Sequence, residues 1–377
     1  MRGPAATLLR AAHRHVPDGL SRHLVNIDPA PLVVQYLYVH GDGEAFFYPT
    51  ARSARSAAQV ANRYLECALT QAASLRLRDV DCDLALVTNL AERSSLGRDG
   101  ARLIERIESL GVRVLPTEYR HRPLEIGESH DTYLSSRYVL DAILAAAEGQ
   151  PAERQIWLTD LDCVWADAER VFAATPVAPQ IGYIEIPYPP DWDAVGFSAL
   201  GVTRRALGEL ALGMGGSEAL PSWVGGELLT GTPGSLRALV EACEEIDGRL
   251  AARGEMLPTE EQTLTLVGAL GRAQFCDLSG VARRILTGPR HGAPRLEDPL
   301  DFGFWHLPSE KGLSLRRAAN EMLANRPARL RRDLSEPARA ARRFNVAGTG
   351  LPRRVRDDGW LAAQRLRRAV LAPLGIA

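Results

Sequence analysis

The sequence predicts an α/β fold: a central, mostly parallel sheet between layers of helices, followed by a helical C-terminal extension. Two observations predict the sheet and a third the extension. Apolar, β-branched runs of strand length alternate three times with segments of helical period before Asp160. Such alternation favours parallel strands joined by helical crossovers. From residue 313 onward the chain carries 15 Arg against 5 acidic residues, whereas the preceding 312 residues hold 30 basic and 41 acidic. A segment with its own charge balance is an appendage to the domain before it.

The elements follow in order. Residues 1–25 are Arg/His-rich, with Pro and Gly, and read as a loose arm or a short helix. Leu32 to Val39 (LVVQYLYV) is β-branched and aromatic, hence a strand. Ser53 to Ala73 has helical spacing of Ala, Val and Leu, and Asp83 to Thr88 is a second strand closed by Asn89. Gly100 to Leu110 reads as a helix stopped by Gly111, and Val112 to Leu115 as a third strand. Ser129 to Ala147 is an amphipathic helix with Ser129 as N-cap, and Gln155 to Thr159 is a strand that ends on Asp160. Beyond it the alternation loosens. Ile181 to Ile186 and Gly225 to Thr232 are strands, while Thr203 to Leu212, Ser235 to Arg253 and a segment capped near Thr259 are helices.

Composition narrows the functional class. With 46% hydrophobic and 24% charged residues in 377, the chain has the makeup of a soluble globular protein. No window approaches the roughly 18–20 apolar residues of a membrane span, and the N-terminus lacks an apolar core before a cleavage site. The expected compartment is the cytoplasm. Cys67, Cys82, Cys163, Cys243 and Cys276 are scattered without a C-x-x-C pair, against a zinc site or disulfide scaffold. Lys311 is the one lysine among 45 basic residues. It marks a place where arginine cannot replace a compact ammonium, or it survives by chance.

The motif richest in chemistry is IWLTDLDCVW, in which an apolar strand runs into Asp160 and Asp162. In extended backbone, residues two apart point to the same side. Two carboxylates so placed repel each other unless a cation lies between them. Oxygen ligation suits Mg²⁺ or Mn²⁺, and such an ion can stabilise charge growing on a departing diphosphate. In parallel sheets, ligands bind beyond the carboxyl ends of the strands, where this pair sits.

Here the chain resembles the glycosyltransferase A fold, in its glycogenin-like and galactosyltransferase-like branch, where Asp-x-Asp follows a strand after a nucleotide-binding half. The resemblance covers roughly residues 30–312. It implies a catalytic domain over 26–312, with a nucleotide-binding half (26–165) and an acceptor half (166–312), before a basic extension (313–377). WVGGELLTGTP looks like the glycine-rich strand lining the sugar and acceptor pocket, with Gly225 and Gly226 close to ligand and Glu227 offering a carboxylate. PTEEQT places Glu260 or Glu261 as a general base near the acceptor; the alternative is acidic residues complementing a helix N-terminus. FWHLPSEKG resembles the family's C-terminal element, with His306 completing the metal shell and Lys311 on the diphosphate, although it continues LSLRR where the family often has Pro and Trp. Arg137 matches a basic residue facing the phosphates, and Tyr36, Tyr38 and Asn89 are candidates for base and ribose contacts.

The expected activity is metal-dependent transfer of a sugar from a nucleoside-diphosphate sugar to an unidentified acceptor. The arginine-rich extension reads either as a solvated helical appendage or as a dock for anionic membrane or a lipid-linked acceptor. Nucleic acid is not expected, since no recognised binding module accompanies the charge. DLDCV also fits a haloacid-dehalogenase-like phosphohydrolase with Asp160 as nucleophile. Against it, that motif belongs on a first strand and needs a lysine followed by an acidic pair. A nucleotidyltransferase would need a basic glycine-rich loop, and Gly41 to Glu44 (GDGE) lacks one. A non-catalytic nucleotide-sugar-binding protein is the remaining alternative.

Overall fold

The computed structural model describes residues 29–41, 56–90, 92–122, 135–191, 202–287 and 299–346. The expected N-terminal arm, the Ser129 cap, all but the first residue of GDGE, and the extension beyond residue 346 lie outside them.

Four strands, β1 (Leu32–Leu37), β2 (Asp83–Thr88), β3 (Val112–Pro116) and β4 (Ile156–Thr159), are parallel and lie in the order β3-β2-β1-β4. β1 and β4 are apolar almost throughout because both of their faces are covered. The crossovers are α1 (Ala57–Arg76), α2 (Gly97–Glu108) and α3 (Tyr138–Ala147). Ser56 caps α1 by accepting from Gln59 N. After α2 the chain turns at Gly111, whose φ of +75° would strain any side chain. Buried Gln35 of β1 donates to Gln71 of α1 (2.6 Å), which donates to Thr159 at the end of β4 (2.8 Å). That ladder fixes α1 against the strand leading to the acidic pair.

The third crossover differs from expectation. Ser135 to Arg137 form a turn, and α3 begins at Tyr138 with Arg137 as its N-cap. Hydrophobic period gives a helix's face well and its start poorly, because fraying and 3₁₀ turns keep the same spacing.

The second half extends the sheet. It contains β5 (Cys163–Trp165), α4 (Ala168–Phe172), β6 (Ile181–Glu185), α5 (Arg204–Gly213), β7 (Val224–Gly231), α6 (Pro233–Ala251), α7 (Glu260–Ala269), β8 (Phe275–Asp277), β9 (Ala282–Arg284) and β10 (Phe304–His306). The full order is β3-β2-β1-β4-β7-β6-β8. β7 alone runs against the others, antiparallel to both β4 and β6, so the sheet is mostly parallel as expected. Every residue of β7 is buried.

A small second sheet, β5-β10-β9, was not legible in the sequence, because strands of three residues carry no usable period. Aromatic packing holds it to the main sheet. Trp165 lies edge-on to Trp157 of β4 (6.0 Å between centroids) and to Phe304 of β10 (5.0 Å). All three are fully buried, each adding about 3 kcal/mol of apolar burial.

Helices α8 (Ser314–Leu323), α9 (Pro327–Leu334) and α10 (Pro337–Arg343) follow. α8 packs on α1, where Thr70 Oγ1 donates to Leu315 O at 2.9 Å. Fully buried Glu310 accepts from Ser314 Oγ (2.5 Å) and Asn345 Nδ2 (2.9 Å), tying the start and end of this helical group together. Among the described residues no helix is long and apolar enough to cross a membrane.

Candidate functional site

β4 ends at Thr159, and Asp160 to Asp162 turn the chain into β5. The carboxylates therefore converge through a turn rather than along extended backbone. The corner is fixed from two sides: Asp160 N donates to Glu227 O of β7 (3.0 Å), and Leu307 N donates to Asp162 O (2.8 Å). That second bond carries the last residue of β10, His306, to the acidic pair. His306 Nε2 lies 3.5 Å from Asp160 Oδ2 and 3.2 Å from Asp162 Oδ2. The 3₁₀ turn Pro308–Glu310 then brings Lys311 Nζ to 2.7 Å from Asp162 Oδ2.

The two aspartates differ. The Asp160 side chain is 35% exposed and Asp162 is 1% exposed. Burial raises the Asp160 carboxyl, more than nearby His306 lowers it. Burial also acts on Asp162, but Lys311 and His306 together hold its carboxyl well below the usual range. Burial alone would lower the His306 imidazole; Asp162 and Glu227 reverse this and bring it up to about 9. Tyr36, a ribose or base candidate, donates its Oη hydrogen to Asp160 Oδ1 at 2.7 Å and so orients one of the acidic pair.

Ligand atoms of Asp160, Asp162 and His306 all lie within 4.8 Å of one another. Asp162 Oδ1 is buried with no hydrogen-bond partner, which is costly for a carboxylate oxygen. Two carboxylates, one of them with an orphaned oxygen, and an imidazole fit a hard divalent cation.

Other expected site residues are placed differently. Glu227 does not open toward a substrate: it is 1% exposed and accepts a bidentate fork from Arg284, at 2.8 and 2.7 Å. Burial raises its carboxyl, but Arg284 and His306 outweigh that and bring it down to about 2. Glu261 is also engaged, by Arg284, by Trp223 Nε1 (2.8 Å) and weakly by Gly226 N (3.5 Å). Glu260, first residue of α7, keeps Oε2 without a hydrogen-bond partner. Burial, then repulsion from Glu261 and Asp160, pushes it up to about 8. Thr259 caps this helix in a full capping box with Gln262, which fixes where Glu260 and Glu261 point.

The glycine pair makes room for these carboxylates. A Cβ on Gly225 would stand 2.9 Å from Ile184 O and collide with Glu227 Oε2, and one on Gly226 would stand 2.7 Å from Glu260 Oε1.

Arg137 is turned to a structural task. Only 4% exposed, it donates to Asp247 and Thr263, both at 2.6 Å, and joins α3 to α6 and α7. Asn89 exchanges hydrogen bonds with Val39 N (2.6 Å) and O (2.9 Å), stapling the end of β2 to the end of β1. Tyr38 stands among rings beyond the carboxyl ends of β1–β3: Tyr119 and His40 at 5.0 Å and Tyr138 at 5.7 Å. Arg284, in the three-residue strand β9, and Tyr188, whose Oη accepts from Arg284 Nη1 at 2.7 Å, belong to no motif visible in the sequence.

No family model matches the chain, and no curated protein matches it. Several solved structures are similar to it. One is the galactosyltransferase LgtC in complex with donor and acceptor sugar analogs, 11% identical with a TM-score of 0.46, over 78% of this chain and 95% of that one. Another is the bifunctional glycosyltransferase WbbM in apo form, 13% identical with a TM-score of 0.43, over 74% of this chain and 45% of that one. Mouse xyloside xylosyltransferase 1, also apo, is 14% identical with a TM-score of 0.42, over 74% and 97%. All three are named as glycosyltransferases.

Proposed function

We propose that this chain is a metal-dependent glycosyltransferase, moving a sugar from a nucleoside-diphosphate sugar to an acceptor hydroxyl in the cytoplasm. One observation carries the reading. Asp160, Asp162 and His306 converge within 4.8 Å beyond the end of a central parallel strand, with an ammonium beside them. Mn²⁺ or Mg²⁺ would be held by these three residues, and would supply positive charge to the diphosphate as it leaves.

The chain's own residues account for the rest. Lys311, close to Asp162, places a second positive charge where the diphosphate would lie. Tyr36 keeps Asp160 oriented. Tyr38 and Tyr119 offer ring faces for a nucleobase beyond the neighbouring strands. Of the three expected catalytic carboxyls, Glu227 and Glu261 are committed to Arg284, which leaves Glu260 to receive the acceptor's proton if configuration is inverted. Domain boundaries at 26, 166 and 313 belong to this proposal, as does docking of the basic extension on an anionic membrane or lipid-linked acceptor.

Incubation with a panel of nucleotide sugars and Mn²⁺ tests the function. Release of nucleoside diphosphate, by transfer or slow hydrolysis, is the expected outcome. Phosphate release from simple phosphoesters would instead favour the phosphohydrolase alternative, and binding without turnover the non-catalytic one.

A further inference from the structure

Glu227 lies on β7, Arg284 on β9 and His306 on β10, so the two sheets meet at this group. Glu227 Oε1 is 3.5 Å from His306 Nδ1, on the opposite edge of the ring from the one facing Asp160 and Asp162. This is an ion-pair contact rather than a formed hydrogen bond, since Nδ1 has no hydrogen-bond partner. Arg284 cannot slip from the carboxylate easily, because its fork is bidentate and its other donors reach Glu261 and Tyr188. Gly225 leaves the space in which Glu227 sits.

A buried glutamate in this place costs solvation, and a single arginine would satisfy it as well at many other points of the core. What its position adds is a fixed acceptor facing Nδ1. An imidazole can give Nε2 to a cation only as the tautomer with its proton on Nδ1, and a carboxylate at Nδ1 selects that tautomer.

We propose that Glu227, locked by Arg284, is a positioning residue that holds His306 with Nδ1 protonated and Nε2 presented to the cation shared with Asp160 and Asp162. The inference rests on the metal site proposed above. It gives Glu227 a role in place of direct contact with substrate. The arrangement forms a line from Arg284 through Glu227 and His306 to the acidic corner, joining β9, β7, β10 and the end of β4.

Two measurements test it, neither needing turnover. In wild-type protein saturated with Mg²⁺ at pH 8, long-range ¹H–¹⁵N spectra of histidine-labelled protein should show His306 protonated on Nδ1. Protonation on Nε2 overturns the proposal without need of a variant. Next, Mn²⁺ alone is titrated against wild type, Glu227→Gln and His306→Ala, with free Mn²⁺ read by electron paramagnetic resonance and folding by circular dichroism. Glu227→Gln should weaken Mn²⁺ binding about 10–100-fold, the usual cost of losing the partner of a ligating histidine. Folded Glu227→Gln that binds as wild type, while His306→Ala loses binding, overturns the positioning role and leaves the metal site standing. Wild-type binding by His306→Ala overturns the metal site itself. Should Glu227→Gln not fold, Arg284→Lys keeps the charge but loses the fork, and unchanged Mn²⁺ affinity in that variant counts equally against the proposal.

Discussion

Asp160 and Asp162 stand two residues apart and call for different experiments. Asp160 is a third exposed and has Tyr36 as its hydrogen-bond donor, so Asp160→Asn removes a cation ligand at little cost to folding. Its Mn²⁺ affinity should fall by more than the ~100-fold upper figure for losing a histidine's partner, with thermal melting close to wild type. Asp162 is buried against Lys311 and His306. Asp162→Asn takes the counter-charge from largely buried Lys311, 2.7 Å away, and should destabilise by about 3 kcal/mol, readable in urea melts. Equal stability of the two variants would contradict this division. The sequence made the pair visible, because an apolar strand running into Asp-x-Asp is local. It could not show which aspartate is buried, since that depends on His306 and Lys311 from another sheet. Nor could it show that Glu227 is committed, because Arg284 is distant in sequence and sits in a strand too short to have a period.

Among elements, β7 joins sheet and site, and its glycines separate packing from propensity. Gly225→Ala would press a methyl group on Ile184 O and on the Glu227 carboxylate, and should cost about 1–3 kcal/mol as overpacking. Gly248, on the exposed face of α6, has nothing within 4 Å of an added Cβ. Gly248→Ala should stabilise by about 0.5–1 kcal/mol, and chemical denaturation measures both signs. The link between α3 and α6 depends on pH. His121 bridges Asp141 of α3 (2.8 Å) and Glu244 of α6 (2.9 Å), and the bond to Asp141 raises its pKa against burial, with Glu244 adding to it. A histidine pKa higher in the folded than in the unfolded chain gives stability that is full below about 6.5 and is lost as pH rises through the folded value. Wild type should therefore lose stability relative to His121→Ala as pH rises above about 6.5. The loss is modest because Glu244 is more than half exposed. Long periodic elements such as α1 and α6 were legible; the beginning of α3 was not, because the pattern continues through residues that form a turn.

For the whole molecule, the alternation of the first half pointed to a parallel sheet, while its order β3-β2-β1-β4, the reversed β7 and the small sheet follow from pairings distant in sequence. The basic C-terminal character persists on the surface. Arg329, Arg332 and Arg339 project from α9 and α10 with side chains 67%, 65% and 47% exposed. If this face docks on anionic lipid, the protein should co-sediment with phosphatidylserine vesicles at low salt and be released near 1 M, where the Debye length falls to about 3 Å. Replacing the three arginines with glutamate should abolish sedimentation; retention by that variant would argue against the surface.

The meeting of β10 with the acidic corner also sets an order of events during synthesis. Asp160 and Asp162 leave the ribosome roughly 150 residues ahead of His306 and Lys311, and at about 5–20 residues per second the interval is on the order of 10 s. For that time the β4 strand end carries negative charge with neither of its cationic neighbours yet made. A nascent chain that stops short of β10 holds the sequence of the β3-β2-β1-β4 block but not that of the corner, so translation of His306 and Lys311 is what supplies the rest of the site.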